Sequence, residues 1–526
     1  TRSGVLGEAS VHSFTDLGLS GQLLIYLLFF AFGAIVLSSI NWKKIPSSND
    51  EVSSYSREFW IFIGAATLGL MGFQVLVPTS IPVFNNIVQL FGGVSNAALP
   101  ADQIGFFTTW QKWFAIIIAL LSGTGQFFWW KKMDRSNLFK ELTTPLILTL
   151  LISSLIFMIS EVTNPSYLIL LTAGIYSIIA NGKILIQVSK KNVMLSGGSI
   201  SHIGIAMILI GIMFSSGHSN VISLNTSGMP YNREFPDQMN KENLLLFLNE
   251  PKNLKDYQVT YAGKLSKIKG LPDYLELHKY DVTNNPYLVM ANQDIISNGK
   301  QYFTKGDTME IEPENIYHQV KYEKNDGSQF VLYPRVQFNP NMGTMVSPDI
   351  KKTLTRDIYT HITNIPDPDE EKDWGEIREI KTVVGQEFFV NDFVATIEGI
   401  ERLNEVDNVT LTGNDVAIKV KIKILGKARD YYSEPIFLIK NNMIGRIPYT
   451  NEEIGVKLTL LNVHPEENSF SIGINQTQKD WIILEAVEKP FINILWSGTF
   501  LLLIGFGVAA YRRFGEFSKM RDKNLE

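Results

Sequence analysis

Residues 198–217, GSISHIGIAMILIGIMFSSG, decide the fold, because this uncharged stretch is long enough to cross the ~30 Å of hydrocarbon in a bilayer. Charge-poor apolar blocks of similar length recur at 21–40, 59–78, 107–130, 144–160, 165–188 and 490–511. Together the blocks predict a polytopic α-helical membrane protein with seven transmembrane helices. A wholly soluble protein is excluded.

The long segment between the sixth and seventh blocks differs in charge from the rest of the chain. Residues 218–489 carry 30 Lys and Arg against 40 Asp and Glu, a net charge of -10, whereas the remainder carries +5. No basic domain or Lys/Arg-rich tail lies outside the membrane flanks to displace counterions from phosphates. The composition therefore argues against a nucleic-acid partner.

Basic residues near the ends of the spans predict the orientation, since cytoplasmic connections are enriched in Lys and Arg. Connections on one side of the predicted bundle carry Lys43, Lys44, Arg57, Lys131, Lys132, Arg135, Lys140, Lys183, Lys190, Lys191, Arg512, Arg513, Lys519, Arg521 and Lys523. Short segments on the other side carry only Arg2. Residues 218–489 are therefore predicted outside the cytoplasm, and the C-terminus inside.

The outer segment is predicted to be β-rich, because apolar residues alternate with polar ones. In 416–424, VAIKVKIKI, every second side chain is predicted in the core and the lysines in water. Similar runs occur at 329–338, 383–400 and 456–474, and the turn signals Asn325-Asp326-Gly327 and Gly413-Asn414-Asp415 separate strands. The acidic run 366–372 is predicted to be a solvated loop.

The predicted organisation has five parts. It comprises an outer-face segment at 1–20, six transmembrane helices within 21–217, a β-rich domain at 218–489 inserted between helices six and seven, a seventh helix at 490–511 and a basic cytoplasmic tail at 512–526. The first residue is Thr1, and its neighbours form neither a charged n-region nor a signal-peptide core, so we expect the later part of a longer polypeptide. Cysteine is absent, which excludes disulfides, thiolate metal sites and a cysteine nucleophile in this chain.

His202 is the strongest candidate for chemistry. An ionisable group inside a membrane span is a functional candidate by default. Its helical face also carries Gly198 and Ala206, one turn before and one turn after, which would leave space for a flat macrocycle whose iron the imidazole reaches. Gly204 and Gly211 lie on the opposite face, where they fit close approach of a neighbouring helix. The alternative is a structural imidazole, hydrogen-bonded across the bundle.

A second candidate group is predicted at the outer face. His12 and Arg2 precede the first span, and Trp110, Lys112 and Trp113 lie near the outer end of the third. Arg2 and Lys112 would bind an acidic ligand such as a propionate. The alternative is a snorkelling lysine beside an aromatic belt.

The other histidines are predicted to be structural. His278, His318, His361 and His464 are scattered through the β-rich domain without ligand spacing, and His218 lies at the membrane interface. Paired carboxylates, a phosphate loop and a Ser/His/Asp set are not evident, because the glycine pairs lack the strand and lysine context of a P-loop.

Several segments, in order along the whole chain, resemble the CcmF family of cytochrome c heme lyases. The resembling segments are TRSGVLGEASVHSFTDLG at the start, SREFWIF at 56–62, IPVFNN at 81–86, SHIGIAMILIGI at 201–212, VLYPRVQFNPNMGTMVSPDIKKTLTRDIYTHI in the outer domain and KPFINILWSGTFLLLIGFGVAAYRRF near the end. In that family the first segment directly follows a tryptophan-rich, heme-handling WWD region. The resemblance therefore implies a C-terminal part that lacks this region.

The resemblance implies a heme-binding membrane component of cytochrome c maturation in a bacterial inner membrane. Such a protein accepts heme on the outer face and promotes thioether bonds to the CxxCH cysteines of an apocytochrome, together with a heme chaperone and other maturation subunits. His12 matches the histidine thought to ligate the transferred heme, and His202 matches one of two transmembrane histidines that hold a resident b-type heme. The remaining ligands would precede Thr1, so we expect the present chain alone to be inactive as a lyase.

Two other interpretations stay open. In one, the chain is a membrane transporter or scaffold whose β-rich domain binds a partner and whose histidines are structural. In the other, it is a lyase dedicated to a single enzyme's unusual heme site. The sequence does not choose among the cytochrome substrates.

Overall fold

The computed structural model describes residues 20–44, 56–128, 135–159, 162–233, 235–339, 343–367, 373–406, 409, 411–412, 415–426 and 429–523. They form two compact units. A helical unit holds the described residues up to Ser219, the short segment Leu354–Arg356 and the chain from Lys489 onward, and a β unit holds Asn220–Thr353 and Asp357–Glu488.

Nine α-helices occur in the described residues. They are α1 Ser20–Ile40, α2 Arg57–Thr79, α3 Ile81–Leu90, α4 Gln103–Gly125, α5 Arg135–Ile159, α6 Pro165–Ser189, α7 Gly197–Ser215, α8 Asp237–Glu242 and α9 Ile492–Lys523. Short 3-10 turns cover Trp42–Lys44, Gln126–Phe128, Val193–Leu195, Leu277–Lys279 and Pro465–Glu467.

Six of these helices, α2, α4, α5, α6, α7 and α9, are long and apolar enough to cross a membrane. The protein is thus a membrane protein with a β-rich domain. The first predicted span, 21–40, coincides with the 21-residue helix α1, which is not among these six. The count of seven therefore stays a prediction.

Two helices extend well beyond their predicted spans, and a third helix was not predicted. The fourth span was predicted over 144–160, but α5 begins at Arg135 and continues through Pro145. The last span was predicted to end at 511, but α9 continues to Lys523, where Arg512 and Arg513 pair with Glu516 one turn on. The short helix α3 was not predicted. Hydropathy locates apolar spans, whereas a helix continues as long as its own backbone bonds and side-chain pairs support it.

The helices α7 and α9 pack antiparallel with their backbones in contact. A Cβ on Gly204 would lie 2.6 Å from the Gly498 carbonyl oxygen and 2.6 Å from the Leu502 amide nitrogen. A Cβ on Gly211 would collide with the backbone of Leu495. The predicted role of Gly204 and Gly211 in close helix approach is confirmed, with α9 as the neighbour.

The helix α6 lies against α4, α5 and α7 and is the most buried of the six. Gly123 of α4 permits a close approach, since a Cβ there would lie 3.2 Å from the Ser177 Cα. This approach brings polar side chains of α4 and α6 together beside α7.

The β unit contains 27 strands in its described residues. They are β1 Asn220–Val221, β2 Leu244–Phe247, β3 Lys252–Leu254, β4 Tyr257–Lys267, β5 Tyr274–Glu276, β6 Tyr280–Val282, β7 Leu288–Ala291, β8 Ile295–Ser297, β9 Lys300–Phe303, β10 Thr308–Glu310, β11 Asn315–Lys324, β12 Gln329–Leu332, β13 Arg335–Asn339, β14 Gly343–Ser347, β15 Asp349–Lys351, β16 Arg356–Asn364, β17 Arg378–Val383, β18 Glu387–Val390, β19 Phe393–Leu403, β20 Val416–Leu425, β21 Tyr431–Ser433, β22 Ile436–Lys440, β23 Met443–Ile447, β24 Tyr449–Asn451, β25 Val456–His464, β26 Ser469–Gln476 and β27 Trp481–Pro490.

Two pairs of antiparallel sheets enclose the main cores of the β unit. A seven-stranded sheet, β14-β13-β11-β4-β3 with β12 on β11 and β5 on β4, faces a five-stranded sheet, β1-β27-β16-β15 with β2 on β27. A six-stranded sheet, β18-β19-β20-β22-β23 with β21 on β20, faces a four-stranded sheet, β17-β26-β25-β24. The strands β6 to β10 surround a smaller core. These layers bury the apolar faces that the period-2 pattern predicts.

The predicted strand runs all contain strands, but burial at the start of β20 differs from the prediction, since Val416 and Ile418 are only partly buried. Val420, Ile422 and Ile424 are buried as predicted, but Ala417 is also buried, on the face where lysines were expected. Ala417 packs in a small cluster with Leu438 and Val406. Residues 413–414 and 368–372 of the predicted loops lie outside the described residues.

Candidate functional site

His202 lies in α7 with one ring nitrogen hydrogen-bonded and the other without a partner. Its Nδ1 is 2.9 Å from the Ser122 Oγ of α4. No hydrogen bond to its Nε2 occurs among the described residues. The side chain is partly buried. The Nδ1 contact is the cross-bundle hydrogen bond that a structural imidazole would make, and it also leaves Nε2 available to a ligand.

A cluster of buried polar side chains supports this contact from behind. The Ser122 Oγ lies 3.1 Å from the Ser177 Oγ of α6. The Asn181 amide nitrogen donates to the Ser177 carbonyl at 2.8 Å and to the Ser122 carbonyl at 3.2 Å. Ser177 and Asn181 are fully buried. Polar residues within apolar spans were a usable signal for this cluster, but the spacing of a sequence does not show which of them meet.

The face of α7 around His202 is partly filled. The sequence prediction placed space for a macrocycle beside Gly198 and Ala206. Ala206 is 1% exposed and lies against α6, where a Cβ on Gly174 would be 3.8 Å from the Ala206 carbonyl oxygen. Ala206 therefore does not provide that space, and any room on this face lies toward Gly198, which is partly exposed.

The residues predicted at the outer end of α4 form a separate group. Trp110 and Trp113 are 53% and 46% exposed. The Lys112 Nζ lies 4.9 Å from the centroid of the Tyr167 ring, a cation–π distance. The ten residues between Lys112 and Ser122 correspond to about 15 Å along a helix, so this group is distinct from the His202 cluster.

Two residues join this outer group that the sequence did not suggest as its members. The Tyr167 ring also lies 5.2 Å from the His218 ring, and the His218 Nδ1 bonds the Met213 carbonyl oxygen at 3.1 Å. His218 thereby satisfies a carbonyl at the end of α7. His12 and Arg2, which were predicted for the same end, lie outside the described residues.

Comparison with solved structures gives a weak likeness. No protein-family model and no curated protein matches the chain. A solved structure, "Cytochrome c Heme Lyase CcmF", aligns over 94% of this chain and 50% of its own length, with 12% identity and a TM-score of 0.33. This chain therefore spans about half the length of that protein. A likeness at this TM-score and identity does not assign the chain to a family.

The histidines of the β unit do not come together. The His361 Nε2 pairs with Glu485 at 3.3 Å, and the His464 Nε2 lies 3.2 Å from the Ser471 Oγ. Burial, with the nearby Arg429, lowers the pKa of His278. Among the described residues no three His, Asp or Glu side chains are grouped as metal ligands would be.

His318 is fully buried in the larger sandwich. Its Nδ1 lies 3.3 Å from the Tyr261 hydroxyl, which donates to Asp480 at 3.1 Å, and Lys264 pairs with the same carboxylate at 3.1 Å. Its Nε2 is buried without a partner among the described residues. Burial, with the charge of Lys264, lowers the pKa of His318 to about 3, so the ring is neutral.

Proposed function

We propose that this chain is a heme-binding membrane component of cytochrome c maturation that helps attach heme to the CxxCH cysteines of an apocytochrome. The resemblance of ordered segments along the chain to CcmF lyases supports the proposal. So does the architecture, since a bundle of apolar helices carries a β-rich domain.

The observation that carries the proposal is the state of the two nitrogens of His202. Its Nδ1 is held by Ser122, and its Nε2 has no hydrogen-bond partner among the described residues. A metal-bound histidine ordinarily donates its other ring N–H to a neighbouring acceptor, which fixes the tautomer and the ring orientation. His202 would be one of the residues that hold the iron of a resident b-type heme. The second ligand is left to a partner or to residues outside the described ranges.

Heme supplies the reactive vinyl groups and the redox-active iron. The residues of this chain are proposed to position it. His12 would ligate the transferred heme, Arg2 and Lys112 would contact its propionates, and Trp110 and Trp113 would line the same outer end. Exposure of both tryptophans at one end of α4 supports this placement.

Thioether formation adds a thiol S–H across a vinyl C=C bond: sulfur bonds one carbon, and hydrogen ends on the other. No protein nucleophile is needed, and holding the thiol and the vinyl group in contact supplies much of the acceleration. A chain without cysteine offers no competing thiol.

The proposed location is a bacterial inner membrane, with residues 218–489 outside the cytoplasm. The asymmetry of Lys and Arg among the short connections supports this orientation. The partners would be the apocytochrome, a heme chaperone and further maturation subunits. Enzymatic activity is proposed for the full-length protein only.

A membrane transporter or scaffold is the second candidate. The Ser122–His202 bond favours it, because a hydrogen bond between α4 and α7 is what a structural histidine makes. In that case the histidines stabilise the bundle and the β unit binds a partner.

A visible spectrum separates the two candidates. The full-length protein, purified in mild detergent, should show a Soret band that His202→Ala removes or shifts. His218→Ala is the matched control, since it deletes another imidazole of the helical unit, and it should leave the band unchanged. Absence of porphyrin from every preparation, or a band indifferent to His202→Ala, would defeat the heme assignment and favour the scaffold.

A further inference from the structure

One edge of the larger sandwich is open. The strand β14 pairs with β13 along its whole length and is the last strand of its sheet. After Pro348 the chain enters the facing sheet, where β15 pairs with β16 only as far as Thr360. Among the described residues, no strand pairs with 361–364 of β16 on the side of β15. The outer edge of β14 and the last part of β16 are therefore both unpaired.

A cavity of about 880 Å³, here called the slot, lies between these two edges. Thr344 and Val346 of β14 and Ile362 of β16 line it. It is also lined by apolar side chains of β11 and β13, which are Ile316, Val336 and Phe338. Val336 and Ile362 belong to the buried core of the sandwich, whereas Val346 is 45% exposed. The slot is thus a place where the hydrophobic core is open to solvent.

The two edges beside the slot lack the features that usually protect an edge strand, which are charged side chains or proline. The strand β14 reads GTMVS, and the end of β16 reads HITN, without Lys, Arg, Asp, Glu or Pro. In the smaller sandwich, the edge strand β17 carries Arg378, Glu379 and Lys381. Arg378 also donates to the Phe389 carbonyl of the edge strand β18 at 2.8 Å. An unprotected edge beside an apolar cavity is suited to pairing with another strand.

The slot adjoins a region of negative charge. A second cavity, of about 570 Å³, shares residues 364–367 with the slot and is also lined by Asp373. Asp367 and Asp373 are exposed. Lys479 lines the same cavity, but it already pairs at 2.9 Å with two carboxylates, those of Glu250 and Asp392. A ligand that extends from the slot into this cavity meets carboxylates, which favours basic groups on the ligand.

We propose that the slot binds an extended segment of a basic partner polypeptide, which adds a strand between β14 and β16. Main-chain groups of the segment pair with the unpaired edges, and its alternate side chains enter the slot beside Phe338, Val346 and Ile362. Basic residues that follow the segment lie near Asp367 and Asp373. A lipid chain would fill the slot but leave both edges unpaired, so a polypeptide fits better. The inference goes beyond the proposed function and does not depend on heme.

The test uses the full chain in nanodiscs and a labelled probe peptide, acetyl-TVTVTVKKK-amide. Val346→Glu should weaken binding by about tenfold or more, because it places a carboxylate in an apolar slot. The added negative charge alone would attract this basic probe, so a loss reports the slot itself. Val383→Glu is the matched control, since Val383 is 37% exposed on the edge strand β17 of the smaller sandwich. It should bind the probe as the wild type does.

Two further probes separate backbone pairing from charge. The same peptide with every backbone nitrogen of TVTVTV methylated loses its main-chain donors and should bind about tenfold or more weakly. Hydrogen exchange should show new protection of β14 with the unmethylated probe only. The peptide acetyl-TVTVTVEEE-amide should bind several-fold more weakly than the basic probe at low salt. Replacing both Asp367 and Asp373 by Asn should reduce that difference.

Equal binding of the methylated and unmethylated probes would overturn strand addition and assign the slot to a ligand held by apolar contacts alone. Equal affinity for the basic and acidic peptides would overturn the basic partner. Failure of the basic probe to bind the wild type would overturn the proposal as well. So would light scattering that shows a dimer of the full chain lost in Val346→Glu, which would assign the slot to a second copy. If Val346→Glu does not fold, hydrogen exchange of β14 in the wild type with the two probes still decides.

Discussion

His202 in the helical unit and His318 in the β unit make the same kind of contact through one ring nitrogen. They differ in the surroundings of the other ring nitrogen. Each bonds a hydroxyl through Nδ1, that of Ser122 at 2.9 Å and that of Tyr261 at 3.3 Å. The His318 Nε2 is sealed in a fully buried core, whereas His202 is only partly buried. A hydroxyl partner on one nitrogen therefore does not distinguish a structural histidine from a candidate ligand; access to the other nitrogen does.

The hydrogen-bond networks behind the two histidines also differ in charge. Tyr261 donates to Asp480, whose charge Lys264 balances, so the His318 network ends in an ion pair. The His202 network ends in serines and an asparagine, all neutral. A neutral network suits an apolar bundle, because a buried unpaired charge there would cost several kcal/mol.

The largest effect should come from separating α7 from α9. Gly204→Val places side-chain atoms where the Gly498 carbonyl and Leu502 amide lie, and backbone atoms cannot move aside as a side chain can. We expect a loss of about 3 kcal/mol or more in the stability of the helical unit, or failure to fold. Thermal unfolding in detergent measures it.

Gly182→Val is the matched control, because no heavy atom lies within 4 Å of the position of a Cβ on Gly182. Both variants change the intrinsic helix propensity by the same amount, so the difference between them reports packing. Hydrogen exchange should show lower protection in α7, around His202, and unchanged protection in β4, near His318. Equal destabilisation by the two variants would contradict the packing argument.

Acid should lower the stability of the β unit through protonation of His318. Its pKa is about 3 in the folded β unit and near 6.5 when unfolded, so below pH 6.5 the unfolded state binds more protons. Stability is then lost progressively as pH falls from about 6.5 toward 3, by up to about 1.4 kcal/mol per pH unit from this group. His318→Gln should remove that contribution.

Hydrogen exchange of β4 and β11 in the full chain, corrected for intrinsic rates, measures this slope between about pH 6.5 and 5, above the range of most carboxylates. The wild type should lose more protection than His318→Gln over that window. Parallel profiles for the two proteins would mean that His318 is not held neutral by burial.

The sequence predicted the elements better than the contacts between them. Alternation placed β20, and hydropathy placed α7, because each pattern is local to one element. The burial of Ala417 was missed, since it depends on Val406 and Leu438, which only the folded sheet brings near. The roles of Gly204 and Gly211 were predictable because glycines spaced seven apart mark one helical face.

The sequence predicted His202 as a candidate but did not predict the side chains that contact it. His202 stood out as an ionisable side chain within a span, but Ser122 is 80 positions away in the chain. Ser122, Ser177 and Asn181 stand out in the sequence only as polar residues within apolar spans. Their meeting depends on the crossing of α4 and α6 at Gly123, which no periodicity reports.

The smallest effect should be a salt-dependent change in the affinity of the acidic β-rich region for a basic partner. Residues 218–489 carry a net charge of -10, so a basic CxxCH-containing peptide should bind this face more tightly at low salt. We expect affinity to fall several-fold between about 50 and 300 mM salt, since exposed charges are screened over about 10 Å or less. Titration of the full chain in nanodiscs with the labelled peptide measures this affinity.

A peptide of equal length with its lysines replaced by glutamates should bind more weakly at low salt and lose the salt response, because only the basic peptide is attracted. If the basic peptide binds equally at both salt concentrations, the acidic surface does not recruit the partner.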